Sequence, residues 1–194
     1  MAVYDTNVVI MCLRGNKSAC KLMESDPECV IPPTAASEVW SGLHKVPSNC
    51  KIYTYQTEPF DDPAIANEPA AFAYAVRKVF LSPSKRGRKK EWEVTEKVKR
   101  WFESLCVDYK NGRVDENDWR ILKEANILAE LDYISDKRLI SNDSHLTNDF
   151  CQAAYEHVMT YLDEITGEKP EEMEVEIVPF KNAIRKQPIE LTHP

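Results

Sequence analysis

VYDTNVVI, residues 3–10, decides the fold class. Ala2 to Tyr4 is a short apolar strand, and Thr6 to Leu13 carries on as a helix start, so the chain turns from strand into helix at Asp5. The same unit returns further along. Cys29, Val30 and Ile31 form a second strand ended by Pro32 and Pro33, after which Thr34 can cap a helix running to about His44. A helix spans about Glu116 to Leu131, RLIS at 138–141 is a compact buried strand, Phe150 to Leu162 is helical by periodicity, and EVEIVPF at 174–180 is a last strand. Strands alternating with helices predict an α/β fold, a three-layer α/β/α sandwich around a mostly parallel central sheet.

The middle of the chain departs from this rhythm. KIYTY at 51–55 is an edge strand or hairpin arm, Pro59, Pro63 and Pro69 mark a loop, and Ala70 to Leu81 is a helix with Phe72, Val76, Val79 and Phe80 on one face. SPSKRGRKK at 82–90 interrupts, and Glu91 to Leu105 resumes as a helix striped by Val94, Val98, Trp101, Phe102 and Leu105. Residues 1–194 are therefore expected to form a single domain. It carries a basic helical insertion at about 58–113 and, at 163–194, an acidic segment followed by a strand.

A net charge of −7 argues against a protein that coats nucleic acid non-specifically, although a local basic patch on an acidic body is compatible with it. No apolar run has membrane-spanning length, so no membrane partner is expected. The N-terminus lacks a basic segment followed by an apolar run, and a cytoplasmic setting follows as the expectation. The six cysteines, at 12, 20, 29, 50, 106 and 151, contain no CxxC pair; in a reducing compartment they are expected to be free and mostly buried thiols, with an intracellular disulfide of the kind found in some hyperthermophile proteins as the alternative.

Four acidic residues carry the chemistry. Asp5 follows the first strand, Glu38 stands in the helix after the second within PPTAASEVW, Asp118 opens ENDWRILKEANILAE, and Asp143 follows the strand in LISNDSHL. In an open parallel sheet the ligand crevice lies beyond the carboxyl ends of the strands, and Asp5, Glu38 and Asp143 project toward that edge. Each has a plain structural alternative: Asp5 as a helix cap, Asp143 as a turn initiator, Glu38 on a solvated helix face. Asp118 discriminates most sharply, because Asp118, Leu122, Ala125 and Ala129 fall at i, i+4, i+7 and i+11, which puts the carboxylate on the apolar stripe. Burying a lone carboxylate costs several kcal/mol unless something compensates it. No Lys or Arg lies on that stripe, so a metal ion is the economical counter-charge.

With these residues in place, the chain resembles the PIN-domain nucleases. Asp5-Thr6-Asn7 matches that family's first motif, Glu38 its second-helix glutamate, Asp118 with Ile121, Leu122 and Ala125 its later helix, and Ser141-Asn142-Asp143 its last motif. The likeness covers residues 1–56 and 115–150, and the segment from Glu58 to Arg113 is longer than in compact members such as the toxin–antitoxin ribonucleases. Asp149 is the nearest candidate for the further acidic residue of some members, though its place at a helix start suits capping better.

The resemblance implies a metal-dependent endoribonuclease. Carboxylate oxygens suit Mg²⁺ or Mn²⁺. One ion can generate the nucleophile from a bound water while a second, roughly 3.5–4 Å away, stabilises the leaving oxygen. Asp5, Asp118 and Asp143 are the expected direct ligands, Glu38 binds a second ion or orients the water, and Asn7 and Ser141 hold the carboxylates in place. Lys85, Arg86, Arg88, Lys89 and Lys90 are candidate phosphate contacts, and a solvated surface loop is their plain alternative. Trp92 and Trp101 are candidates to stack on single-stranded RNA, although the place of Trp101 on the apolar stripe suits the core better. A homodimer through the inserted helix and a protein regulator are further partners compatible with this picture. The competing function is a PIN-like module that binds RNA or protein without cutting. A phosphatase-like hydrolase is disfavoured because Asn7 stands where its second Asp would be.

Overall fold

The computed structural model describes residues 2–81, 100, 101, 103–105, 107, 108, 111, 115–148, 150–167 and 172–185. Five strands, β1 (Ala2–Tyr4), β2 (Cys29–Ile31), β3 (Lys51–Ile52), β4 (Arg138–Ser141) and β5 (Glu176–Pro179), form one sheet in the order β3-β2-β1-β4-β5. Every pairing is parallel, with Val3 opposite both Val30 and Leu139 and Leu139 opposite Ile177. The three residues of β1 and of β2 are all buried, as strands covered on both faces require. This is an α/β fold.

Strand order places the crevice. From β1 the chain steps outward to β2 and β3, then returns to the other side of β1 for β4 and β5, so the order reverses between β1 and β4. At such a switch point the connections leave in opposite directions beyond the carboxyl ends of the two strands and open a cleft. Asp5 follows β1 directly, its amide bonded to the Ile140 carbonyl at 3.0 Å, and Asp143 lies two residues past β4.

The helices are α1 (Thr6–Leu13), α2 (Lys17–Ser25), α3 (Pro33–Glu38), α4 (Pro63–Leu81), α5 (Glu116–Glu130), α6 (Cys151–Thr166) and α7 (Phe180–Arg185), with a 3-10 turn over Trp40–Lys45. Asn16 caps α2 by accepting from the Ala19 amide at 3.0 Å, and left-handed Gly167 closes α6. Residues 100, 101, 103–105, 107 and 108 are helical, and Leu105 is buried in the core. No helix among the described residues is long and apolar enough to cross a membrane.

Several sequence expectations are corrected. Thr34 does not cap a helix reaching His44; it lies inside α3, which ends at Glu38 and passes into the 3-10 turn. Pro63 and Pro69 do not form a loop. Pro63 is the first residue of α4, where a missing N–H costs nothing, and Pro69 sits inside that helix. An internal proline costs about 3 kcal/mol or more, and the burial of Phe72 and Val76 farther along the helix offsets it. β3 is an edge strand parallel to β2 and not a hairpin arm. α7, after β5, was not expected.

The cysteine expectation is overturned for four of the six, while Cys106 lies outside the described residues. Cys12 is bonded to Cys20 with Cα atoms 4.6 Å apart, and Cys29 to Cys50 with Cα atoms 4.3 Å apart. The first bridge ties α1 to α2 and the second ties β2 to the residue before β3. Cys151 is a free, buried thiol. Spacing along the chain carried no signal of these pairs, because folding sets which thiols meet.

Candidate functional site

Asp5 is fully buried at the N-cap position of α1, yet its side chain makes no capping hydrogen bond. Its Oδ2 instead accepts from the Ser141 hydroxyl at 2.7 Å, while Oδ1 is buried with no partner. Burial pushes this carboxyl up to about 6; the Ser141 hydrogen bond opposes the shift and the charges of Asp143 and Glu38 add to it.

Asp118 lies in the first turn of α5, and here too capping fails as an explanation. The cap is Asp115, whose carboxylate accepts from the Asn117 amide at 3.0 Å. Asp118 is half-buried above Leu122, Ala125 and Ala129, all fully buried. Its carboxyl is pushed up to about 8, first by desolvation and then by the negative charges of Asp143, Asp5, Asp115 and Glu38. The charges of Asp143, Asp5 and Glu38 therefore all reach Asp118.

Asp143 behaves differently. Its Oδ1 accepts from the amides of His145 at 2.7 Å and Leu146 at 3.0 Å, so this residue does initiate a turn. Desolvation works against its charged form, but the His145 side chain and those two amides outweigh it and hold the carboxyl below its ordinary range. The Asp143 amide in turn donates to Ser141 Oγ at 2.9 Å. One hydroxyl therefore joins the residue after β1 to the turn after β4.

Glu38, the last residue of α3, is exposed. Its carboxylate accepts from Thr6 Oγ1 and, through Oε1, from Asn117 Nδ2 at 2.8 Å. Asn7 is exposed on α1, and the hydroxyl that reaches a carboxylate from this turn belongs to Thr6. Lys85, Arg86, Arg88, Lys89 and Lys90 lie outside the described residues, as do Trp92, Phe102 and Asp149.

Two groups here were missed at the sequence level. His145 stands between two carboxylates, Nδ1 at 3.6 Å from Asp143 Oδ1 and Nε2 at 3.4 Å from Asp108 Oδ2. The Asp143 hydrogen bond, with the added charge of Asp108, raises its pKa. Glu124 is fully buried on α5 and accepts from the Thr34 amide at 3.0 Å, from Thr34 Oγ1 at 2.6 Å and from the Tyr55 hydroxyl. LKEAN, with polar residues inside an otherwise apolar helix, was the available signal.

The donor set suits a hard divalent cation in kind. Among the described residues no Lys or Arg ion pair reaches any of the four carboxylates, and a buried carboxylate oxygen without a partner is a costly arrangement that a cation would relieve. The side chains are not drawn into a coordination sphere: among the described residues no three His, Cys, Asp or Glu side chains gather closely enough to hold an ion. No family model, no curated protein and no solved structure matches the chain.

Proposed function

We propose that this protein is a metal-dependent endoribonuclease of PIN-like architecture, with Asp5, Asp118 and Asp143 as ion ligands and Glu38 beside them. The observation that carries this reading is a pair of carboxyls raised first by burial and then by neighbouring negative charge, Asp5 to about 6 beside Asp143 and Glu38, and Asp118 to about 8 beside Asp143, Asp5, Asp115 and Glu38. A bound Mg²⁺ or Mn²⁺ would supply charge neutralisation for the scissile phosphate and acidify a water molecule. The residues do the rest. Ser141 fixes the Asp5 carboxylate from behind, leaving the unpartnered Oδ1 as its free acceptor. Thr6 and Asn117 hold Glu38 from two helices, so that its carboxylate can orient the attacking water. Closure of the ligand set would follow side-chain rotation of Asp118 toward Asp5, a motion its half-exposed position permits. RNA as partner and a cytoplasmic setting belong to the same reading, with the two disulfides then of the intracellular kind found in hyperthermophile proteins.

Cleavage of a fluorescence-quenched RNA with Mn²⁺, Mg²⁺ or EDTA tests it. The wild type should cut only with a divalent ion, and Asp5→Asn and Asp118→Asn should lose at least a hundredfold in rate. Activity surviving both substitutions rejects the assignment. One observation favours the non-cleaving alternative: Asp143 Oδ1 is engaged by two backbone amides and faces His145. RNA binding with a steep salt dependence and no cleavage would select it.

A further inference from the structure

The α3–α5 contact is polar at both ends. At the α3 N-terminus the fully buried Glu124 takes the Thr34 amide at 3.0 Å and the Thr34 hydroxyl at 2.6 Å, while at the α3 C-terminus Asn117 Nδ2 donates to Glu38 Oε1 at 2.8 Å. A six-residue helix starting Pro32-Pro33 has no capping side chain of its own. Its amide at Thr34 would be orphaned inside the protein without an acceptor from elsewhere. Glu124 supplies that acceptor from a site 90 residues away in sequence, and the Tyr55 hydroxyl, which also bonds Thr34 Oγ1 at 3.2 Å, completes the cluster.

We infer that Glu124 is a positioning residue for Glu38, acting as the remote N-cap of α3 so that the helix can present its last carboxylate to the site. This rests on the function proposed above. Glu124 and Asn117 are seven positions apart on α5, two turns of one face, so the helix that carries Asp118 also grips α3 at both ends. The relative placement of Asp118 and Glu38 is thus set by one rigid element. A carboxylate is needed because three donors converge on it: Thr34 N, Thr34 Oγ1 and Tyr55 Oη. A glutamine of the same shape offers a single acceptor oxygen and turns two N–H groups toward donors. Burial raises the Glu124 carboxyl to about 7 against the pull of those hydrogen bonds and of the Arg120 charge, the cost of holding an acceptor in so dry a place.

The test compares wild type, Glu124→Gln and Tyr4→Phe. Tyr4→Phe removes hydrogen bonds to Asp26, the residue that ends α2, and to the Leu22 carbonyl of α2, and serves as a control whose lost partners include no residue of α3. Three readouts are taken: kcat and KM for Mn²⁺-dependent cleavage of the quenched RNA, melting temperature, and amide exchange by mass spectrometry over residues 33–40. Glu124→Gln should lower kcat at least tenfold with KM within twofold of wild type, and should speed exchange over 33–40 at least tenfold. Tyr4→Phe should leave both unchanged even where its melting temperature falls as far. Wild-type kcat in Glu124→Gln, or a loss that Tyr4→Phe reproduces at equal melting temperature, overturns the inference. A wild type that never cleaves, with faster exchange in Glu124→Gln, overturns the nuclease reading and leaves the capping contact standing as structure alone.

Discussion

Ser141 Oγ lies 2.7 Å from Asp5 Oδ2, a hydrogen bond that joins residues 136 positions apart and ties the end of β4 to the residue after β1. The same oxygen accepts the Asp143 amide at 2.9 Å, so two candidate ligands are set by one side chain. Both partners, Ser141 and Asp5, are fully buried.

Ser141→Ala is expected to destabilise the protein by about 1–3 kcal/mol, because it orphans a buried carboxylate oxygen and strips the Asp143 amide of its acceptor. The bond also favours ionised Asp5, so its loss should raise that carboxyl further above about 6 and move the acid limb of any pH–rate profile upward. Urea unfolding and a pH profile of cleavage measure the two effects; an unchanged acid limb would show that Asp5 ionisation does not govern activity.

Without divalent ions, stability should fall as pH rises. Asp118 titrates near 3.8 when unfolded and at about 8 when folded, so between those values the native state holds more protons than the unfolded one. Stability is then fully present below the unfolded value and declines toward the folded one. Asp118→Asn removes the charge and should be more stable than wild type at pH 8, by roughly 1–3 kcal/mol after discounting for partial exposure, with the gap closing near pH 4. Chemical denaturation in EDTA at both pH values decides it. A variant less stable than wild type at pH 8 would show that Asp118 is not crowded by burial and negative charge.

Manganese should reverse that penalty in the wild type. An ion that binds only the folded carboxylates at a hundred times its dissociation constant adds about 2.7 kcal/mol, seen as a rise in melting temperature. The rise should be absent in Asp118→Asn and larger at pH 8 than at pH 6, since protons compete for the same oxygens. Equal shifts in both proteins would place the ion elsewhere.

Cys29→Ser should cost about 3 kcal/mol, the loop-closure entropy for a bridge spanning 21 positions. Loss of the Cys12–Cys20 bridge, spanning 8, should cost less. Melting with and without a dithiol reductant measures the sum. Insensitivity to reductant in a protein shown by mass to carry both bridges would refute it.

Elements set by local pattern could be read from the chain. Ala2–Tyr4, Cys29–Ile31 and Arg138–Ser141 are apolar runs of strand length ended by turn or helix signals, and Glu116–Glu130 has an apolar period with an aspartate at its start; all four are found where the residues place them. Local signals misled where a distant contact outweighs them. Pro69 reads as a loop residue until α4 packs, and Thr34 reads as a cap until Glu124 takes its amide.

The alternation of strand and helix, and with it the place of the acidic residues after strands or at helix ends, is written in local pattern, because backbone propensity, proline and apolar period act over a few residues. The strand order that puts β1 beside β4, the disulfide partners, and the carboxylates left in want of a counter-charge emerge only when the chain packs. Those depend on pairings such as Ser141 with Asp5 and Glu124 with Thr34, whose partners lie 136 and 90 positions apart, and no local propensity encodes a contact at that range.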